Sequence, residues 1–240
     1  MRELARLVPL QLREAVERGD GYAQDGLRGW RGNVAWLVAD KPGEARAQVA
    51  SVEWPLPPAG EIQVRHWYEL QSHVHIDLYL GDIDAAWQRL EAAWPTFEAS
   101  HLLRLQTMRL ETAFLRGRVA LGRAIAGRDP AVMVALARKL ATQLDDEHAP
   151  WGQAFAAQLR AMLAVASGQR RGAGKLLEAA ERAYAASDMQ LLADVMRLRR
   201  GDIGAGPTGS AWAVAALNAI RDMGIVAPHR MARMLCPWPE

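Results

Sequence analysis

Cysteine occurs once in the 240 residues, at Cys236, so no internal disulfide can form and a thiol redox cycle would need a resolving partner from elsewhere. That scarcity fits a reducing compartment, and the chain is expected to be cytoplasmic. No run of about 18 apolar residues exists, which is what a membrane-crossing helix requires, so no membrane association is expected. The opening stretch MRELARLVPLQLREAVERGD lacks the charged leader, apolar run and cleavage site of a signal peptide. It enters helical patterning at once, as a chain continuing from something upstream would. Lysine is rare, 3 against 26 arginines, a skew that genome composition explains without a functional cause. The formal net charge of +2 leaves no strong field of either sign and argues against partners held mainly by charge. Strand-type alternation is missing from every segment, which points away from a β or mixed fold.

What is present is helical. Half of the residues are apolar and 23% are charged, the composition of an ordinary folded chain. Apolar residues recur at helical spacing over 4–16, where Pro9 predicts a kink or a break, then over 22–39 and 44–52. Trp54 to Gly60 is proline-rich and reads as a rigid connector. Further helical runs follow at 62–80, 83–94, 101–126, 131–144, 151–166, 172–186 and 189–200. GAGPTGS (204–210) reads as a flexible loop before two last helices at 211–223 and 228–235. Run 101–126 carries apolar residues on two sides, as a helix sandwiched between neighbours does.

Gly81, Gly127, Gly168 and Gly201 read as hinges 46, 41 and 33 residues apart. Five positions past the first three stand Ala86, Val132 and Ala173, and four positions further stand Leu90, Leu136 and Leu177. Residues so spaced share a helix face, which predicts a small-then-large stripe turned against the preceding helix. A lone hairpin cannot cover its own apolar surface, whereas stacked hairpins can. The predicted fold is all-α, a superhelical stack of antiparallel helix hairpins in a single helical-repeat domain over 1–240. Within it, 1–60 holds atypical N-terminal helices and the connector, 61–200 the core hairpins, and 201–240 a loop and capping helices.

A hinge glycine followed by alanines and a bulky residue is similar to the tetratricopeptide repeat, although only the last spacing matches its usual length of about 34 residues. Several longer stretches carry a more specific likeness: LREAVERGDGYAQDGLR (12–28), NVAWLVADKP (33–42), HIDLYLGDIDAAWQRLEAAWP (75–95), PWGQAFAAQLRAMLAVASGQ (150–169) and GIVAPHRMARMLCPWP (224–239). In order along nearly the whole chain they resemble the C-terminal region of large bacterial serine/threonine protein kinases, of the kind abundant in myxobacteria. The resemblance implies a tetratricopeptide-like solenoid serving protein interaction or regulation, with a kinase domain in the same or an adjacent polypeptide. The catalytic signatures are missing here, with no His-Arg-Asp, no Asp-Phe-Gly and only three lysines. This chain alone is therefore expected to be no enzyme.

Candidate chemistry is sparse. His66, His73 and His75 fall close together, but one helix turns at most two of them toward a metal that wants three or four ligands, so no metal site is expected. In GAGKLLE (172–178) the glycine spacing misses a phosphate loop by one residue, Leu176 replaces the required hydroxyl and no strand precedes it. No cofactor is expected. The serines lack a nucleophile elbow, and Asp145, Asp146 and Glu147 are adjacent in a polar link, where they can hardly converge as an acid–base pair.

Arg109, Arg116 and Arg123, seven apart, make a stripe that could read an acidic peptide; without interleaved aromatics it argues against nucleic acid. A plainer role is pairing with Glu69, Asp77 or Glu91. Residues 61–100 carry two positive and seven negative side chains, and 101–144 eight and two, so adjacent layers would attract. Most of the nine tryptophans suit packing between helices, while the proline-flanked Trp54 and Trp238 suit tethering. Trp67, Tyr68 and Trp87 join the three arginines as candidate anchors for a protein or peptide partner. The rival expectation is a structural capping fragment with no ligand of its own, which exposed apolar faces on residues 1–38 would favour.

Overall fold

The computed structural model describes residues 1–51, 61–204 and 206–239. The connector expected at Trp54 to Gly60 lies outside the described residues. Among those described there is no strand, and the helices are α1 (Arg2–Glu17), α2 (Gly21–Arg28), α3 (Trp30–Val38), α4 (Pro42–Ala50), α5 (Val64–Leu80), α6 (Ile83–Glu98), α7 (Gln106–Ile125), α8 (Pro130–Asp146), α9 (Pro150–Ala166), α10 (Arg170–Ala186), α11 (Gln190–Ile203), α12 (Gly206–Asp222) and α13 (Pro228–Leu235). The chain forms two compact units. One holds Met1–Arg104 with Arg221–Met234, the other Leu105–Ile220 with the residues from Leu235 onward.

In the first unit α1 runs unbroken through Pro9. The single run expected over 22–39 is two helices, because Gly29 is extended and ends α2. Gly32 lets the chain fold back tightly there, since a Cβ on it would lie 2.5 Å from the Leu27 carbonyl oxygen. α3 packs against α1, α4 and α5, and α5 and α6 form an antiparallel hairpin. A buried carboxylate ties three of these helices together: Asp77 on α5 accepts from Arg46 of α4 at 2.7 Å and from Arg89 of α6 at 3.0 Å. Residues 221–234 close the unit. The Val226 N–H donates to the Val38 carbonyl, and Arg233 donates to the Tyr79 carbonyl at 2.8 Å, close to the C-terminal end of α5 where a cation is favoured.

In the second unit each helix from α7 to α11 packs on the next, and α7 also packs on α9. The long helix α7 is thus covered by two neighbours, α8 and α9. It starts at Gln106 and not at 101, because His101–Arg104 is a short 3-10 turn. The hairpins begin at Val64, Gln106, Pro150 and Gln190, which are 42, 44 and 40 residues apart. These steps are longer than the roughly 34 residues of a tetratricopeptide repeat, because the helices themselves run to 14–20 residues.

The hinges at Gly81, Gly127 and Gly168 all have positive φ, and each is followed by the same 6→1 closing bond: Asp82 to Asp77, Arg128 to Arg123 and Gln169 to Ala164. The fourth hinge is Asp188, at φ +56, with Met189 bonded back to Tyr184. Gly201 is no hinge. It lies buried inside α11, where a Cβ would come within 2.7 Å of Ala213 and 2.8 Å of the Gly209 carbonyl oxygen. The supposed loop at 204–210 is likewise helical from Gly206 on.

The returning helices share one buried stripe, three, seven, ten and fourteen residues from their start. It reads Ala86, Leu90, Ala93 and Phe97 in α6, Met133, Ala137, Leu140 and Leu144 in α8, and Ala173, Leu177, Ala180 and Tyr184 in α10. All are buried except the half-buried Ala93. Val132, expected in this stripe, is 64% exposed. α8 starts three residues after its hinge glycine where α6 and α10 start two after theirs, so the register slips by one and Met133 takes the place.

Gly201→Val is expected to force α11 and α12 apart and to destabilise the chain by about 1–3 kcal/mol in urea denaturation. Gly174→Ala in α10, whose nearest neighbour would be Ile203 at 3.8 Å, is expected to stabilise by roughly 0.5–1 kcal/mol in the same measurement.

Candidate functional site

Of the six candidate anchors, Trp67, Tyr68 and Trp87 belong to the first unit and Arg109, Arg116 and Arg123 to the second. Trp67 is 1% exposed and meets the Phe97 ring edge-on with centroids 5.8 Å apart. It belongs to the core of the first unit and is withdrawn as a surface anchor: a ring that fills the space between α5 and α6 cannot also face a partner. Tyr68 and Trp87 are half-buried. Arg109, Arg116 and Arg123 are half-buried on α7. Arg109 pairs in a fork with Glu147 at the end of α8, its Nη2 2.7 Å from Oε2, and the bond holds the Glu147 carboxyl below the usual carboxylate range. Arg123 donates to Asp129 at 3.1 Å, in the turn that leads into α8. Arg109 and Arg123 thus each meet an acid within the α7–α8 hairpin. Asp77 takes its arginines from α4 and α6. The polar link is occupied in the same way, since Asp145 pairs with Arg160 of α9.

His66 and His73 line a groove of about 570 Å³ between α5 and α6, together with Glu69, Gln88, Arg89 and Phe97. His66 caps α5, its Nδ1 accepting the Gln63 N–H at 3.0 Å. Burial, then Arg65, holds its pKa below the ordinary histidine value. Burial, reinforced by Arg89 and Arg46 against the opposing pull of Asp77, brings His73 down to about 4. Both rings are therefore neutral at physiological pH. Among the described residues no group of three or more His, Cys, Asp or Glu side chains could hold a metal ion. GAGKLLE lies within α10, so its glycines form no phosphate-wrapping loop.

The polar centre of the second unit was not legible as a motif. Past Leu235 the helix stops and CPWP (236–239) continues without helix or strand, as the residue before a proline favours. Its main chain is held by buried side chains from three first helices. Gln158 of α9, fully buried, donates to the Leu235 carbonyl at 2.8 Å. Its own amide oxygen accepts the Tyr184 hydroxyl of α10 at 2.6 Å, which fixes which way the amide points. Arg118 of α7 makes a longer contact of 3.4 Å to the same Leu235 carbonyl and lies 5.1 Å over the Phe114 ring. Burial brings its pKa down to about 10, so it stays charged at neutral pH. Arg199 of α11 grips the Cys236 carbonyl through Nε at 3.2 Å and Nη2 at 2.8 Å, and gives Nη1 to Asp202 at 2.9 Å.

Side chains complete the hold. Trp238 stands 5.7 Å from the Arg199 guanidinium and packs on the cluster of Ala164, Val165 and Ala173, as Leu176 and Ile203 also do. Cys236 is fully buried, and burial pushes its thiol up to about 11. Under the segment an aromatic row runs from Phe114 through the stacked Phe155, 3.9 Å away, to Trp151 and Tyr184. Two sequence signals do mark this centre: a glutamine inside the apolar run AFAAQLRAML, and two prolines bracketing Trp238.

No family model, no curated protein and no solved structure matches this chain. Among the described residues, no helix is long and apolar enough to cross a membrane.

Gln158→Leu strands the Tyr184 hydroxyl and weakens the hold on the Leu235 carbonyl, and is expected to cost about 2–3 kcal/mol in urea denaturation. His73 gives a pH signature. The unfolded ring titrates near its ordinary value of about 6.5 and the folded ring near 4, so the unfolded chain takes up the proton first. Stability should fall as pH drops from about 6.5 to 4 and level off below that, and His73→Gln should flatten this limb in urea midpoints measured across the range.

Proposed function

We propose that this chain is a protein-interaction module of helical repeats that reads extended polypeptide across α7, α9 and α11. The observation that carries the proposal is the grip on two consecutive main-chain carbonyls by Gln158, Arg118 and Arg199, one from each of those helices. Main-chain recognition by buried donors, with a pocket for one large side chain, needs no catalytic group and no net charge. The near-neutral composition suits such a role. With its likeness to the C-terminal regions of large bacterial serine/threonine kinases, the module would act as the regulatory or partner-binding part of such a kinase. Its tetratricopeptide character is proposed in the same sense, as a longer-period relative of that repeat.

The capping alternative is weakened at the first helix. The exposed side of α1 is mostly charged, with Arg6 paired to Glu3 and Arg18 to Glu14, and Leu10 and Val16 are the apolar exceptions.

Two measurements test the proposal. Fluorescein-labelled proline-containing peptides titrated into the chain should bind with roughly micromolar affinity that changes little with salt, whereas a labelled oligonucleotide should not bind even at low salt. The reverse pattern would replace the protein partner with a nucleic acid. For the kinase context, the coding sequence upstream should encode, in frame, a domain with the lysine, His-Arg-Asp and Asp-Phe-Gly that this chain lacks. A stop codon or an unrelated domain there would remove the kinase from the proposal.

A further inference from the structure

We infer that the segment Leu235–Pro239 is a built-in competitor: it occupies the peptide groove of α7, α9 and α11 in cis, and an external peptide of the pattern apolar-x-Pro-aromatic opens the groove by displacing it. This rests on the peptide-reading role proposed above and goes further by naming the ligand pattern and the regulation.

Three features separate a bound ligand from an ordinary packed terminus. The hold is on main-chain carbonyls, of Leu235 and Cys236, through donors that any extended peptide could meet. The segment offers little in return, because Pro237 and Pro239 have no N–H and the extended backbone favoured around them makes no internal hydrogen bonds. Its one large side chain, Trp238, packs on a cluster of α9 and α10 residues and lies near Arg199 of α11. A groove that satisfies carbonyls and takes one aromatic ring suits a proline-bracketed extended peptide and would serve one from another chain equally well.

The donors also need an occupant. Gln158 and Arg118 are 0% and 2% exposed and Arg199 is 8% exposed, so the groove must always hold acceptors or admit water. A tethered segment competes at an effective concentration of about millimolar, and the affinity of an external peptide falls by the fraction of time the groove is open. Any change that loosens the segment should therefore tighten peptide binding.

Cys236, the single cysteine, reports opening directly. Its buried thiol reacts with a disulfide reagent only when the segment leaves the groove. The probe is a fluorescein-labelled peptide of sequence Arg-Met-Leu-Ser-Pro-Trp-Pro, matching 233–239 with serine replacing the cysteine, titrated into the full chain and into the full chain carrying Trp238→Ala. The Trp238→Ala chain is expected to bind it at least tenfold more tightly, and Arg199→Ala in that background to abolish binding. On the unsubstituted chain, saturating peptide should accelerate Cys236 labelling about tenfold.

If Trp238→Ala frees the thiol yet binds no peptide, the groove does not read peptides and the proposed function falls with it. If both chains bind equally and labelling is unchanged, the peptide binds elsewhere and competition in cis alone is refuted. Should Trp238→Ala lose helicity, Pro237→Gly keeps the indole while loosening the segment. No gain in peptide affinity for that chain, with no acceleration of labelling on the unsubstituted one, then sinks the inference.

Discussion

The constraint behind this architecture is that a helix of some 17 residues with apolar side chains on more than one side must be covered from more than one direction. Each returning helix turns a stripe three, seven, ten and fourteen residues from its start toward a neighbour, and the small residues there, such as Ala86, Ala137 and Ala173, let backbones come close. Burying these stripes supplies the bulk of the stabilisation, at roughly 25 cal/mol per Å² of apolar surface. Turn chemistry then only has to bring the chain round in register. Four hinges do so with one positive-φ residue and a 6→1 bond, and three of those residues are glycine.

Hydrophobic stripes alone do not explain why polar side chains are buried at the centre of the second unit. Gln158 and Arg118 would both be costly in a dry core, and a well-packed apolar substitution for a buried ion is often neutral or stabilising. Their burial becomes intelligible once the carbonyls of Leu235 and Cys236 are taken into account. Those groups lie at and just past the C-terminal end of α13, and without partners they would be stranded acceptors. The relay from Tyr184 through Gln158 to Leu235 satisfies all of its members, which is the condition under which a buried network specifies a single arrangement.

Helical periodicity made the element order legible, because long amphipathic runs separated by Gly-Asp and Gly-x-x-Pro turns have few alternatives. It failed where a local rule was outweighed. Pro9 predicts a kink or a break, yet α1 continues through it, and α6 runs past the expected end at 94 and through Pro95. Gly201 has the sequence look of a hinge, but its small size serves a close approach to Ala213. The one-residue slip in α8 depends on the length of a turn, which periodicity within a helix cannot sense. The functional centre was harder still, since Arg118, Gln158 and Arg199 are 40 and 41 residues apart on separate helices and form no motif along the chain. Only the stacking of hairpins brings them to one segment.

Charge tells the same story at another scale. The acidic stretch 61–100 and the basic stretch 101–144 look complementary when counted along the chain, and within each unit several arginines meet acids at close range. Asp77 is bracketed by Arg46 and Arg89, Arg109 is answered by Glu147, and Glu181 binds Arg197 and Arg200 across α10 and α11. The formal net charge of +2 gives no strong field to pull in a polyanion from a distance. In the proposed role, recognition depends on donors that act at hydrogen-bond range in a dry setting, where each is worth more than at the surface. Such a groove discriminates by backbone shape and by one aromatic ring, so a proline-bracketed segment, already extended before it binds, loses the least entropy on entering it.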